Sequence, residues 1–202
     1  MIRSLLRVLH KPVYEHRQRM LVRLVVPHLN PGARVLDVGC GFGHLGRALM
    51  DHASHAVFVE GAESAPRGGE LIPVTATGGT SLPWPDRTFE AVILADVLHH
   101  DPEPERLLRE CARVSKRLVI VKDHLREGFL AQERISLLDW AANAGYSVPC
   151  LYRYNSLSEW RAALAGVASR IVEERTSIDL YPALLNGALG KGLHYFVVFE
   201  RA

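Results

Sequence analysis

The stretch Val35-Leu36-Asp37-Val38-Gly39-Cys40-Gly41-Phe42-Gly43-His44 constrains the fold of this chain more than any other. A β-branched, apolar run ends in an acid, and glycines follow at alternate positions. Such a run suits a parallel strand buried on both faces. The glycines permit a tight turn with φ > 0 and let a ligand meet bare backbone, where a Cβ would clash. A helical pattern follows, and the unpaired N–H groups of its first turn point back at the same place. Strand, bare turn and helix in this order predict an α/β fold with its ligand beyond the carboxyl edge of a parallel sheet.

The remaining chain alternates between the two periodicities. Residues 2–11 read as a short amphipathic helix with a basic face, and Pro12 separates it from a second helix over 13–26. Asn30-Pro31-Gly32 is a turn. Strand one is Arg34–Val38, its helix runs from about Gly43 to His52, and strand two is Ala56–Glu60. Residues 61–69 are rich in breakers and predict one turn or a loop where a crossover usually holds a helix. Strand three, about Leu71–Thr75, contains Pro73, which predicts a sheet edge. Strand four is Ala91–Ala95, and Asp101-Pro102 opens the next helix, whose buried face includes Leu107, Leu108, Cys111 and Val114. Strand five is Leu118–Val121, followed by Lys122-Asp123-His124. A helix over 129–143 stops at Gly145, and Ser156 with Glu159 spells a capping box for another. Strands over Ser169–Ile178 and Leu193–Glu200 finish the chain.

At 202 residues, 48% hydrophobic and 23% charged, the chain has the size and balance of one soluble globular domain. A net charge of +2 without a basic run argues against a nucleic-acid partner. Cys40, Cys111 and Cys150 are widely spaced, form no metal-type pair and read as reduced thiols of a cytoplasmic protein. The apolar runs fall far short of the roughly 20 residues of an integral membrane segment, and Met1–Arg7 lack a signal peptide's long apolar core and cleavage site. A peripheral membrane contact through residues 2–11 is the minor reading beside a helix packed on the domain.

Val35–His44 resembles motif I of the class I S-adenosylmethionine (SAM)-dependent methyltransferases. Leu82-Pro83-Trp84-Pro85-Asp86-Arg87-Thr88-Phe89-Glu90, leading to Asp96-Val97-Leu98-His99-His100, is similar to the "LPFPDxSFD…DVLHH" pattern of small-molecule members. The likeness covers about residues 30–125 and is specific as a set. It implies a Rossmann-like, doubly wound, mostly parallel seven-stranded sheet with an antiparallel C-terminal strand and helices on both faces. It implies one domain over 1–202, with a helical segment 1–29, a SAM-binding core 30–125 and a part 126–202 that supplies acceptor-pocket helices and the final hairpin. The implied cofactor is SAM, with S-adenosylhomocysteine as product, and the implied activity is methyl transfer to a small organic acceptor.

Asp37, Glu60, Asp96 and Asp123 each fall at a predicted strand end. SAM presents an ammonium, a sulfonium and a ribose diol, and a carboxylate can accept two hydrogen bonds from a diol, which suits Glu60. Asp37, Val38 and the backbone of Gly39, Cys40 and Gly41 suit the methionine part, with Ala95 and Asp96 beside them. The resemblance places Gly61, Ser81 and Leu82 at the adenine. Many relatives carry an Asp four residues before the Leu of the "LPF" segment; here that position is Gly78.

Two other readings stand beside this one. Gly41-Phe42-Gly43-His44-Leu45-Gly46 spells the dinucleotide fingerprint, with Glu60 about 20 residues on, as an NAD-dependent oxidoreductase would have. Gly39 and Asp37 ahead of it, and the Asp96–His100 segment, have no counterpart in that fingerprint. Gly78 and the short crossover also fit a non-catalytic SAM-fold binding protein. For a proton-bearing acceptor, His100, then His124 and His99, are the candidate bases. Asp96-x-x-His99-His100 is loosely similar to the metal-binding Glu-x-x-Glu-His pattern of some quinone O-methyltransferases, and no metal is assigned. Acceptor-pocket candidates are Tyr14, His16 and Arg17; Tyr146, Tyr152, Tyr154 and Trp160; and Tyr181 and Asn186. The attacking atom of the acceptor and the oligomeric state are not encoded in any motif.

Overall fold

The computed structural model describes residues 2–202 apart from 53–56, 67, 79–80, 144–149, 183–185, 187–189 and 191, and only the backbone of 2–12. Its strands are β1 (Arg34–Val38), β2 (Phe58–Glu63), β3 (Val74–Ala76), β4 (Phe89–Ala95), β5 (Ser115–His124), β6 (Ala168–Arg175) and β7 (His194–Arg201). They form one seven-stranded sheet in the order β3-β2-β1-β4-β5-β7-β6. β1 to β5 pair in parallel, and β7 runs antiparallel between β5 and β6. Strand order reverses between β1 and β4, which opens a crevice beyond their carboxyl ends.

The helices are α1 (Ile2–Val25), α2 (His44–Met50), α3 (Pro104–Val114), α4 (Ala131–Asn143) and α5 (Leu157–Ala165). Alternation along the strands sends side chains to two cores. Val35, Ala91, Ile93 and Ile120 pack with Leu21 and Val25 of α1 and Leu45 and Leu49 of α2. Leu36, Val38, Val92, Leu94 and Val121 pack with Leu107, Leu108 and Cys111 of α3 and Trp160 and Leu164 of α5. Helices therefore cover both faces, and the doubly wound Rossmann-like sheet expected from sequence is the fold.

Several boundaries move. α1 continues through Pro12 where a break is expected; proline removes one hydrogen bond, and the helix-forming residues on either side carry the helix on. β2 runs to Glu63, past the expected end at Glu60. β5 takes in Lys122, Asp123 and His124, because its partner β7 extends alongside to His194. β3 is the short edge strand that Pro73 predicts, but starts after that proline. The described residues between β2 and β3 hold no helix. α3 begins at Pro104, and Asp101 instead accepts the Glu103 N–H at 2.7 Å, ahead of the helix. The Ser156–Glu159 capping box forms as expected. Gly145 lies outside the described residues.

Candidate cofactor cavity and acceptor end

A cavity of about 1160 Å³ occupies the crevice at the β1/β4 reversal. Its floor is the turn after β1, where Gly39 and Gly41 adopt φ of 67° and 55°. Each is in the left-handed region that glycine enters freely. At Gly39 a Cβ would also stand 2.5 Å from Val97 Cγ2, so the chain's own packing demands glycine there. At Gly41 a Cβ would meet no atom of the chain within 4 Å, and this backbone is bare to the cavity.

Asp37 and Glu63 flank that turn. Asp37 is 2% exposed, lines the cavity, and its Oδ2 has no hydrogen-bond partner. Burial pushes its carboxyl up to about 7, Glu63 adds to the shift and a backbone hydrogen bond from Gly46 opposes it. Glu63 ends β2, lines the cavity and accepts the Gly41 N–H at 2.9 Å.

Glu60, expected to hold the ribose, sits inside β2 and pairs with Arg34 at 2.7 Å, away from the cavity lining. The misplacement comes from Gly61. As a strand breaker it suggests an end, yet it lies within β2 because a Cβ there would stand 2.4 Å from Cys40 Sγ. Gly61 is thus a packing position, absent from the cavity lining where the adenine is expected. Ser81 also lies off the cavity, on a separate surface hollow with Arg106 and Arg113, while Leu82 does line it. Val38, Cys40, Ala95 and Asp96 all line the cavity. Gly78 faces no side chain within 4 Å, and Thr77 is the nearby lining residue.

Asp96 follows β4 with φ 58°, held by its N–H to the Lys122 carbonyl at 2.7 Å. Its carboxylate already accepts from Arg17 of α1 and from Lys122 Nζ. Burial opposes its ionisation, but Lys122, Arg17, His124 and His99 hold it well below the usual carboxylate range. Burial in turn lowers the Lys122 ammonium, against the pull of Asp96.

Asp123 turns away from the cavity. It is 1% exposed and takes the Leu98 N–H at 3.0 Å, the His124 N–H at 2.7 Å and His99 Nδ1 at 2.6 Å. Burial alone would raise its pKa; the contact with His99 lowers it. Of the expected strand-end acids, then, Asp37 and Asp96 reach the cavity and Glu60 and Asp123 do not, whereas Glu63, at the end of β2, does.

His99, His100 and His124 all line the other end of the cavity. Their rings pack at centroid distances of 4.0 Å (His99–His100) and 4.8 Å (His99–His124). Burial works against the His99 charge, but Asp123, Asp139 and Asp96 outweigh it and raise its pKa to about 10. Burial lowers His124 to about 4, with Asp96 opposing, and its Nδ1 has no hydrogen-bond partner. Asp139 of α4, which no sequence motif marks, joins this end; it accepts from Tyr154 Oη at 2.8 Å and Asn143 Nδ2 at 2.7 Å.

Among the acceptor candidates, Tyr14, Arg17 and Tyr181 line the cavity and His16 does not. Asn186 clamps the backbone of Tyr181, and Tyr154 positions Asp139. Trp160 belongs to the core: it stacks on Tyr195 at 5.0 Å and donates to the His124 carbonyl. Tyr152 is exposed at the surface, and Tyr146 lies outside the described residues.

Residues 36–120, from β1 into β5, match the family model of the methyltransferase domain. The uncharacterized methyltransferase YcgJ of Bacillus subtilis is 28% identical over 141 residues, 64% of this chain and 54% of that one. Its crystal structure superposes with a TM-score of 0.59 at 19% identity, covering 93% and 96% of the two chains. A ubiquinone biosynthesis O-methyltransferase of Hahella chejuensis is 31% identical over 97 residues, 43% of this chain and 40% of that one. A SAM-dependent methyltransferase structure from Thermotoga maritima has a TM-score of 0.65 at 21% identity, with 96% and 93% coverage. The sequence matches thus span about half or less of these curated relatives. The domain match over residues 36–120, these relatives and the reversal of strand order around a bare glycine turn make this chain similar to S-adenosylmethionine-dependent methyltransferases.

Proposed function

We propose that this chain transfers the methyl group of SAM to a small organic acceptor, with the cofactor over the turn Gly39–Gly41 and the acceptor at the histidine end. The observation that carries the reading is the buried, unpartnered Oδ2 of Asp37 beside bare backbone in the cavity. A buried acceptor without a donor is costly, and a ligand ammonium supplies the donor and the compensating charge. Bound SAM supplies an activated methyl carbon and a thioether leaving group.

The residues divide the work by charge. Glu63 offers its carboxylate to the ribose diol while holding the turn through Gly41. Arg17, on the cavity wall, faces the methionine carboxylate, and Asp96 with Lys122 keeps that guanidinium in place. Leu82 and Thr77 flank the adenine. His124, whose Nδ1 is unpartnered, and His100 receive the proton of a hydroxyl or ammonium acceptor. Holding both reactants in one cavity supplies alignment, the main contribution a protein can make to a displacement whose leaving group comes ready-made.

Calorimetry with S-adenosylhomocysteine, and separately with NAD(H), tests this. Binding of S-adenosylhomocysteine alone is the expected result; binding of NAD(H) alone overturns the reading. Release of S-adenosylhomocysteine from SAM in acceptor mixtures then identifies the acceptor, and replacing His100 or His124 by Ala slows that release without loss of cofactor affinity.

A further inference from the structure

His99 is arranged for more than packing. Its Nδ1 is fixed by Asp123 at 2.6 Å, and Asp123 is itself held by two backbone N–H groups. The other ring nitrogen, Nε2, is buried and has no hydrogen-bond partner, in a side chain only 3% exposed. Asp139 Oδ1 stands 3.5 Å from this nitrogen and 3.6 Å from His100 Nε2. One ligand atom from each residue lies within 4.8 Å of the other two.

These separations exceed those of good N–H···O bonds. The two separations to Asp139 are near the edge of a coordination tetrahedron, since bonds of about 2.0–2.1 Å set ligands about 3.3 Å apart. We propose that His99 Nε2, His100 Nε2 and the Asp139 carboxylate bind one divalent transition-metal ion at the acceptor end of the cavity.

Two imidazoles and one carboxylate are a donor set of borderline softness, which favours zinc and its neighbours over magnesium or calcium. The surrounding contacts are those a metal site needs. Asp123 holds the His99 Nδ1 proton, so Nε2 is the nitrogen that gives up its proton to an incoming metal ion and coordinates it. Tyr154 Oη and Asn143 Nδ2 orient the Asp139 carboxylate. All three ligand residues line the cavity, so the remaining coordination position faces it, as in catalytic rather than structural sites. Asp96, the acid that sequence spacing puts beside the histidines, is engaged by Arg17 and Lys122 and takes no part. Resting on the methyltransferase reading, the open position suits an acceptor oxygen, such as a hydroxyl; His100 is then a ligand and His124 remains the proton acceptor.

The test uses the full chain, stripped with a chelator and titrated with Zn²⁺ or Co²⁺ alone. One ion per chain is expected, with the intense visible bands of tetrahedral Co²⁺. His100→Ala and Asp139→Asn should each weaken binding about 100-fold or more, at unchanged far-ultraviolet circular dichroism. His100 is part-exposed, so its variant decides the matter should Asp139→Asn fail to fold. Absence of metal binding in protein that still binds S-adenosylhomocysteine overturns the site and leaves the cofactor reading standing. Metal binding that ignores both variants overturns the site as well. Metal binding lost in the variants supports it even where S-adenosylhomocysteine does not bind, a result that overturns only the cofactor reading.

Discussion

On the proposed reading, Asp37 ties stability to ligand binding. Its carboxyl, pushed up to about 7 by burial, keeps its proton in the folded protein where the unfolded chain has lost it, near pH 4. The folded state therefore binds more protons between these values, and stability falls as pH rises through about 7, then levels off. Glu63 adds to the shift from across the turn, and burial, with Asp37 beside it, pushes the Cys40 thiol up to about 12, outside this range. A shift of this size corresponds to about 4 kcal/mol. Asp37→Asn should flatten the pH dependence of thermal unfolding measured from pH 5 to 8. An ammonium ligand prefers the ionised carboxylate, so affinity for S-adenosylhomocysteine should rise roughly tenfold from pH 6 to 8. An affinity independent of pH in that range contradicts the pairing of Asp37 with the ligand ammonium.

Individual elements show what the sequence encodes openly and what it hides. The run Val35–Val38 is legible because a strand buried on both faces has no polar alternation to confuse it. The capping box is equally plain, since Ser156 and Glu159 meet each other's backbone within one turn. Ser156→Ala should cost about 1 kcal/mol and lower the melting temperature of the whole chain by about 2–4 °C. Glycine within β2 is where local reading fails, because its cause lies in another element. A methyl at Gly61 meets Cys40 of the ligand turn, a contact made only when β1 and β2 pair. Gly61→Ala should therefore destabilise by about 1–3 kcal/mol and weaken S-adenosylhomocysteine binding together, read by unfolding and calorimetry. Asp139 was hidden for the same reason: only folding brings α4 to the histidines after β4.

At the scale of the molecule, the alternation of strands and helices forecasts an α/β sheet, while the strand order comes from the family resemblance and not from periodicity. Placing β7 between β5 and β6 buries its six residues His194–Phe199 and leaves most of β6 as the exposed edge. The cavity draws its walls from α1, β1, β2, β4, β5 and α4, so ligand binding couples to the whole fold. S-adenosylhomocysteine at 100 times its dissociation constant should add about 2.7 kcal/mol, a rise of roughly 5–10 °C in melting temperature.

The most direct measurement compares S-adenosylhomocysteine affinity in Glu63→Ala and Glu60→Ala by calorimetry. Glu63 lines the cavity at the end of β2, whereas Glu60 pairs with Arg34 outside it. Losing a charge-assisted contact at Glu63 should weaken binding about 10- to 100-fold, with Glu60→Ala close to wild type. The reverse order, or equal affinity in both variants, contradicts a nucleoside held between the glycine turn and the end of β2.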